Sequence, residues 1–199
     1  HHQKLGIKYF KDLEHKIPHG EIIEIELYIK KLIKKSLPGL NIIICGSFRR
    51  QKEVSGDIDI LLYHDNNEIK ENNYLQQFIR LLIFNNFITD NLTSINSTTK
   101  YMGFCKYAIF NRRIDVRLIH KQSIGSAMLY FTGCGEFNKA MRIYALKKGF
   151  TINEYGIYKL NTNGTKGIKL KINNEADIFK ILNLPYIEPI NRIATYEFK

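Results

Sequence analysis

The most constraining feature of this 199-residue chain is the segment from Asp57 to Tyr63, in which two aspartates alternate with isoleucines. The alternation predicts a β-strand with Asp57, Asp59 and Leu61 on one face and apolar residues on the other. The two carboxylates then lie a side-chain width apart, and like charges that close resist joint ionisation unless a cation neutralises them. The fold must therefore bury one face of this strand and open the other.

A glycine-serine pair comes shortly before these aspartates. The β-branched run from Asn41 to Cys45 predicts a buried strand that stops at Gly46. Gly46 and Ser47 can then offer backbone N–H groups to a phosphate. Mg²⁺ is usually shared between one or two carboxylates and substrate phosphates, so the pattern predicts magnesium-dependent phosphate chemistry. A lone Asp-x-Asp is weak evidence, because most such pairs are surface strand ends or turns.

A third aspartate strengthens this hypothesis. In the segment from Arg113 to Leu118, alternation places Arg113, Asp115 and Arg117 on one face. If this strand lies beside the Asp57 strand, Asp115 completes a cluster of three carboxylates able to hold two metal ions. The alternative is a solvated strand face, since spacing alone does not show that the strands are neighbours.

The remaining periodicity predicts an α+β fold with a mixed or antiparallel sheet flanked by helices and a small C-terminal α+β unit. The predicted helices are Gly20–Lys35, Tyr74–Phe87, Glu136–Lys148 and Asn174–Leu182. Paired strands are predicted at Tyr101–Phe110 with Arg112–Ile119, across a turn near Asn111, and at Asn153–Leu160 with Ile168–Ile172, across Asn163-Gly164. The polar stretch Asn91–Lys100 is predicted to be a loop.

The composition of the chain indicates which partners and which cell compartment to expect. The net charge of +11 favours a polyanion such as nucleic acid, with simple solubility as the alternative. Three widely spaced cysteines form neither a zinc pattern nor a disulfide framework, which indicates a reducing compartment. No apolar run approaches the roughly 20 residues that cross a bilayer, and no secretory signal is evident. We therefore expect an intracellular protein that does not contact membranes.

Several ordered blocks resemble the family X DNA polymerases, the family of DNA polymerase beta, over nearly the whole chain. The blocks that carry the resemblance are His1–Phe10, Gly46–Arg50, Ser55–Asp59, Arg113–Arg117, Leu129–Gly133, Phe137–Lys139 and Lys148–Tyr155. The resemblance implies a catalytic palm of the nucleotidyltransferase fold at residues 18–121 and a nucleotide-binding, thumb-type subdomain at residues 122–199. Residues 1–17 would be a remnant of the DNA-binding fingers region. The lyase domain and most of the fingers would be absent, as in a fragment or a minimal polymerase.

The resemblance also implies roles for individual residues. Asp57 and Asp59 would bind both of two Mg²⁺ ions, for which Mn²⁺ can substitute, and Asp115 would bind the catalytic ion near the primer 3′-hydroxyl. The implied nucleotide-binding residues are Ser47, Arg50, Gly56, Lys16, Tyr130, Phe131, Gly133 and Asn138. The implied DNA- or template-binding residues are Lys139, Arg142, Arg113, Tyr155 and Lys100. Arg117 would exchange ion pairs with Asp59 and Glu154 as the thumb-type subdomain closes.

Two departures from the family pattern affect the nucleotide site. Gly135 stands where a close relative has an acidic residue beside the incoming base, and Gln51 stands where it has a glycine after the arginine pair. We expect looser nucleotide selection from the first change and an altered phosphate loop from the second.

These observations predict a DNA-directed DNA polymerase that adds deoxynucleotides from their triphosphates to gapped or primed duplex DNA, in short-gap filling during base-excision repair. A template-independent terminal transferase and a non-catalytic DNA-binding fragment are the alternatives. The protein is expected to be monomeric and to act in the nucleus if its source is eukaryotic, or in the cytoplasm or virion if it is viral.

Overall fold

A computed structural model describes residues 2–66 and 73–198, so His1 of the first resemblance block lies outside the described residues. The helices are α1 His2–Lys8, α2 Phe10–Glu14, α3 His19–Ser36, α4 Gly46–Arg49, α5 Tyr74–Phe84, α6 Ile124–Thr132, α7 Gly135–Lys147 and α8 Glu175–Ile181. The strands are β1 Ile17–Pro18, β2 Leu40–Ile44, β3 Val54–Ser55, β4 Ile58–His64, β5 Ile88–Asn91, β6 Lys100–Lys106, β7 Asn111–Leu118, β8 Phe150–Asn153, β9 Gly156–Leu160 and β10 Lys166–Lys169. The predicted α+β class is confirmed.

The larger sheet has the strand order β2-β4-β7-β6-β5. Strand β4 pairs with β7 in parallel, whereas β2–β4, β6–β7 and β5–β6 are antiparallel pairs. The sheet is therefore mixed, as predicted. The parallel pair joins the two strands that carry aspartates, and its register places Asp59 directly opposite Asp115.

The two faces of this sheet are covered differently. Helices α3 and α5 cover one face, because isoleucines recur at helical spacing along α3 and pack against the apolar residues of β2, β4 and β7. On the other face, Leu61 and Cys45 pack against Ala127 of α6. Helix α6 covers only part of that face. Asp59 and Asp115 point to the same side and are only partly buried.

A smaller unit follows, built from α7, α8 and the antiparallel sheet β8–β9–β10 around a separate core. Helix α6 connects the two units, since it packs against β4 and also against α8. The contact with α8 is close: a Cβ atom at Gly125 would lie 2.7 Å from the backbone carbon of Asn174. No helix in the described parts of the chain is long and apolar enough to cross a membrane.

Four predicted boundaries were wrong. The helix predicted to reach Phe87 ends at Phe84, because Asn86 takes a left-handed φ of 55° and Phe87 turns into the core. The turn placed near Asn111 spans residues 107–110, and Asn111 itself begins β7. The run predicted as one strand from Asn153 to Leu160 is divided by a turn between β8 and β9. The partner predicted at Ile168–Ile172 begins earlier, at Lys166.

Helices α1, α2, α4 and α6 and the short strands β1, β3, β5 and β8 were not predicted. Helix α6 contains small and apolar residues on nearly all sides, because it is buried between the sheet and α8. A helix that is buried on several sides lacks the polar face that periodicity detects.

Candidate active site

The structure brings the three predicted carboxylates together. Asp57 immediately precedes β4, Asp59 lies within it, and Asp115 is its register partner on β7. One carboxylate oxygen from each residue lies within 4.8 Å of the others. Hard oxygen donors at this separation suit a divalent cation such as Mg²⁺. The hypothesis that the two strands are neighbours is confirmed.

The electrostatics of the cluster show why a cation would be favoured there. Burial, followed by repulsion from Asp57 and Asp115, raises the pKa of Asp59 to about 7, against the attraction of Arg50. Burial and the charge of Asp115 also raise the pKa of Asp57, although Arg113 and Lys16 oppose that shift. A bound divalent cation would remove the cost of holding these carboxylates ionised together.

Arg113 contacts the third carboxylate directly. Its Nη2 atom donates a hydrogen bond of 2.6 Å to Asp115 Oδ1. Its Nε atom is buried and has no hydrogen-bond partner among the described residues. Arg113 therefore holds one oxygen of Asp115 in place while keeping a further donor unused.

The glycine-serine pair, predicted as a loop, begins the short helix α4 and lies against the same cluster. Gly46 has a φ of 58°, and a Cβ atom at this position would overlap the Oδ2 atom of Asp59. The N–H group of Cys45 donates to the backbone carbonyl of Asp59 at 2.8 Å. The Ser47 hydroxyl donates to Ser55 Oγ at 2.8 Å. A glycine is required here because the loop passes directly over the carboxylate.

Gln51 closes this loop with a left-handed φ of 57°. The altered loop shape that this glutamine was expected to cause stays a prediction. A left-handed residue other than glycine, asparagine or aspartate is uncommon. The loop keeps this conformation in spite of the glutamine side chain.

A cleft of about 450 Å³ opens beside the loop, between the two units. Six of the predicted nucleotide-binding residues line it, together with two predicted template-binding residues. They are Ser47, Arg50, Tyr130, Phe131, Gly133 and Asn138, with Lys139 and Arg142. Asp57 and Asp59 form part of the same wall, so the carboxylates face the cleft.

The remaining two predicted nucleotide-binding residues, Gly56 and Lys16, lie beside Asp57 and do not line the cleft. Strands β1 and β3 pair so that Ile17 lies opposite Ser55. A Cβ atom at Gly56 would lie 3.8 Å from Lys16 Nζ, and the Lys16 charge opposes the rise that burial causes in the pKa of Asp57. This short two-stranded sheet thus holds a lysine at the edge of the carboxylate cluster.

Two hydrogen bonds shape the far wall of the cleft. Arg50 Nη1 donates to the backbone carbonyl of Thr132. Asn138 Nδ2 donates to the backbone carbonyl of Tyr130 at 2.6 Å. The peptide bond between Gly133 and Cys134 is cis. The end of α6 is therefore held by Arg50, which directly follows α4, and by Asn138 of α7.

Two of the other predicted DNA-binding residues, Lys100 and Tyr155, line cavities that Phe131 also lines. Lys100 and Arg117 are register partners on β6 and β7, and with Asp115 and Phe131 they line a smaller cavity. Tyr155 lies in the turn after β8, with 49% of its surface exposed. Phe131 thus lines the cleft and both of these cavities.

Arg117 has neither of its predicted ion-pair partners. In the described part of the chain, neither Asp59 nor Glu154 lies within ion-pair distance of it. Its guanidinium carbon lies 5.7 Å from the centroid of the Phe131 ring. The exchange of partners during closure therefore remains a prediction.

One structural network was not predicted. Arg49 donates two hydrogen bonds to Glu175, at 3.0 and 2.8 Å, and a third to Thr132 Oγ1. Arg192, whose side chain is fully buried, forms an ion pair with the same glutamate. Glu175 lies 126 positions from Arg49 in the chain, and no periodicity indicates such a distant pair. The network joins α4, which contains the glycine-serine pair, to the smaller unit.

Comparison with known proteins agrees with this geometry. Residues 16–121 match the sequence model of the DNA polymerase beta palm, and residues 127–193 match that of the DNA polymerase beta thumb. The chain belongs to the DNA polymerase beta family. The resemblance to family X polymerases seen in the sequence is therefore confirmed.

Individual relatives match almost the entire chain. It is 32% identical to DNA polymerase lambda of Rattus norvegicus over 202 residues, and 30% identical to DNA polymerase lambda of Arabidopsis thaliana over 208 residues. It is 28% identical to DNA nucleotidylexotransferase of Xenopus laevis over 228 residues. Each match covers 96% of this chain but only 35%, 39% and 44% of the respective relative.

Proposed function

We propose that this chain carries the catalytic centre of a DNA-directed DNA polymerase, which adds a deoxynucleotide to the 3′-hydroxyl of a primer. The observation that carries the proposal is the convergence of Asp57, Asp59 and Asp115 beside the Gly46–Ser47 loop. The membership of the DNA polymerase beta family and the names of the polymerase lambda relatives support the choice of substrate.

The carboxylate cluster would hold two Mg²⁺ ions, with Mn²⁺ as a substitute. Such ions supply charge neutralisation and activate a hydroxyl nucleophile. Asp57 and Asp59 face the cleft, so they would share ions with the triphosphate. Asp115 would bind the ion at the primer end and accept the proton of the 3′-hydroxyl, directly or through water.

The residues of the cleft would position the nucleotide. Arg50, Ser47 and the backbone of the phosphate loop would contact the triphosphate, with Lys16 and Gly56 at its edge. The end of α6, at Tyr130, would lie against the sugar. The primer oxygen would then bond to the α-phosphorus, and the bond from that phosphorus to the bridging oxygen would break, releasing pyrophosphate.

On the DNA side, Lys139 and Arg142 would contact the template, because both lie exposed on α7 at the mouth of the cleft. Arg113, Lys100 and Tyr155 would also contact the DNA strands.

We propose short-gap filling in base-excision repair as the biological role, by a monomeric intracellular enzyme. The palm at residues 18–121 and the thumb-type subdomain at residues 122–199 would be its functional parts.

The decisive experiment is Mg²⁺-dependent extension of a primer across a one-nucleotide gap, comparing the unchanged protein with Asp115→Asn. We expect the variant to lose at least about a thousandfold in rate, because it removes both a metal ligand and the proton acceptor. Asp65→Asn is the matched control, since Asp65 lies past the other end of β4 and outside the cluster. Incorporation that survives Asp115→Asn would contradict the proposal.

A template-independent transferase is a second candidate, supported by the match to DNA nucleotidylexotransferase. The same assay distinguishes the two when the template base is varied and a single-stranded primer is included. Incorporation that follows the template base supports the polymerase, whereas addition to the single strand regardless of base supports the transferase. DNA binding without any incorporation would indicate a binding module.

A further inference from the structure

A second basic cavity lies outside the candidate active site, where the chain passes from the larger sheet to the smaller unit. Its volume is about 520 Å³. Three lysines line it, Lys121, Lys169 and Lys171, together with the amides of Gln122 and Asn173. None of its lining residues is acidic. The cavity therefore offers positive charges and amide groups to an anion.

Lys169 is held in position by its neighbours. Its aliphatic stem lies across Gly156, where a Cβ atom would approach Lys169 Cε to 2.7 Å. Its Nζ atom donates to Ser123 Oγ at 3.4 Å. The ammonium group is thus placed at the cavity by local packing, and holding it there for a ligand costs little additional side-chain entropy.

Lys121 is available to an anionic ligand. Its ion pair with Asp65 is long, at 3.4 Å, and more than half of each side chain is exposed. Exposed pairs of this kind contribute little to stability. A phosphate could therefore replace the carboxylate of Asp65 at small cost.

The cavity is connected to the active site through Ser123 and Tyr155. The Ser123 hydroxyl donates to the backbone carbonyl of Tyr155 at 2.9 Å. The exposed Tyr155 lines a neighbouring cavity of about 460 Å³, together with Arg117 and Phe131. The six Cα–Cα steps from Asp115 to Lys121 span no more than about 22 Å. Arg117, Phe131 and Tyr155 thus form, with the three lysines, one course of basic and aromatic side chains that begins near the carboxylates, and Glu154 also lines it.

A basic groove with exposed aromatic rings is the pattern that binds single-stranded nucleic acid. We infer that this course binds the unpaired strand of the DNA substrate, with its phosphates at the three lysines and a base against Tyr155. The inference rests on the proposed function, because the duplex in the active site delivers the strand. An acidic protein segment would satisfy the lysines but would leave the Tyr155 ring unexplained.

The test measures the affinity of the full chain for two gapped duplexes by fluorescence anisotropy. The duplexes differ only in a single-stranded extension. The double variant Lys121→Gln/Lys171→Gln removes two charges without touching the active site, and Lys34→Gln/Lys35→Gln in the last turn of α3 is its charge-matched control. A thermal melt of each variant checks that it is folded.

We expect the test variant to bind the extended duplex about tenfold more weakly and the blunt duplex less than about twofold more weakly. For the extended duplex, the slope of the logarithm of the binding constant against the logarithm of the salt concentration should become shallower by about 1.4. This is about 0.7 for each lost contact with a single strand. Tyr155→Ala should weaken binding of the same extension, whereas Tyr155→Phe should not, because the ring supplies the stacking.

Equal affinity and equal salt dependence for the test variant and the unchanged chain would overturn the inference. So would displacement of the extended duplex by an acidic peptide but not by a single-stranded oligonucleotide. The incorporation assay separates the two proposals. If extension-dependent affinity is lost in the test variant while the unchanged chain incorporates nothing, only the proposed function fails. If incorporation is intact but the extension contributes no affinity, only this inference fails.

Discussion

Burial and negative charge conflict at Asp59. Its carboxylate is largely covered by the phosphate loop and lies beside Asp57 and Asp115, so its pKa rises to about 7. Because the pKa is raised in the folded state, the folded protein binds more protons than the unfolded chain between the ordinary value of 3.8 and about 7. Without metal, the contribution of Asp59 to stability is therefore largest below this range and is lost as pH rises through it.

We predict that Asp59→Asn removes this loss and stabilises the metal-free protein by about 2 to 4 kcal/mol above pH 7, because the amide carries no charge. Denaturation curves recorded in chelator from pH 5 to pH 8 measure the effect. Adding Mg²⁺ to the unchanged chain should raise its melting temperature more at pH 8 than at pH 6, because protons compete with the ion. An equal pH slope in the variant and the unchanged protein would contradict this explanation.

Gly46 is the second residue whose role depends on its three-dimensional neighbours. We predict that Gly46→Ala lowers incorporation by at least about tenfold and destabilises the chain by about 1 to 3 kcal/mol, because the new Cβ atom would overlap Asp59 at a left-handed φ. Primer-extension rates and chemical denaturation measure the two effects.

Gly20→Ala in α3 is the control, because a Cβ atom there meets nothing within 4 Å. A helical alanine in place of glycine should be neutral or stabilising by up to about 1 kcal/mol. Full activity in Gly46→Ala would show that the loop can move away from Asp59.

At the scale of elements, α4 and α8 are joined by the ionic network around Glu175. The glutamate is 5% exposed and accepts bonds from Arg49 and Arg192, as well as from the Tyr186 hydroxyl at 2.9 Å. These arginines lower the pKa of Glu175 against the effect of burial. A buried ion pair contributes little on average, but removing one partner leaves an uncompensated charge.

We predict that Glu175→Ala lowers the free energy of unfolding by about 3 to 5 kcal/mol, because Arg192 would stay buried without its carboxylate. Chemical denaturation provides the measurement. Lys180→Ala on the same helix is the control, since its side chain is 75% exposed and the change should fall within about 0.5 kcal/mol. Similar denaturation midpoints for both variants would show that the network does not bear on stability.

The elements also differ in how far they could be predicted. Strands β4 and β7 were predicted because aspartates alternate with buried apolar residues along each of them. Helix α8 was predicted from its polar start at Asn174, which forms a capping box with Asp177. Helix α6 was missed for the opposite reason, since it is buried between two layers. Boundaries at turns were wrong where a left-handed residue or a short turn ended the pattern.

At the scale of the whole molecule, the charge of +11 should govern how strongly the chain binds DNA. We predict that Lys139→Gln and Arg142→Gln each make the slope of log binding constant against log salt concentration shallower by about 0.9 for the blunt gapped duplex. This is the value for one lost phosphate contact. Titrations at several salt concentrations measure this slope. The Lys34→Gln/Lys35→Gln variant should leave this slope unchanged. If this variant also made the slope shallower by the same amount, net charge alone would control binding.

The sequence by itself determined the chemistry of the centre. Strand alternation and the glycine-serine pair are local properties, so the candidate residues Asp57, Asp59 and Asp115, their shared strand faces and the hypothesis of a divalent cation follow from neighbouring residues. The ordered blocks of motifs determined the family in the same way.

Only the tertiary structure decided which of these parts meet. The parallel pairing of β4 and β7 places Asp115 opposite Asp59, and the packing of α6 aligns Tyr130 and Gly133 with the phosphate loop. The same packing creates the Arg49–Glu175 bridge and the lysine cavity. These contacts join residues far apart in the chain, and they form because burying apolar surface between layers brings distant polar groups together, which no local pattern encodes.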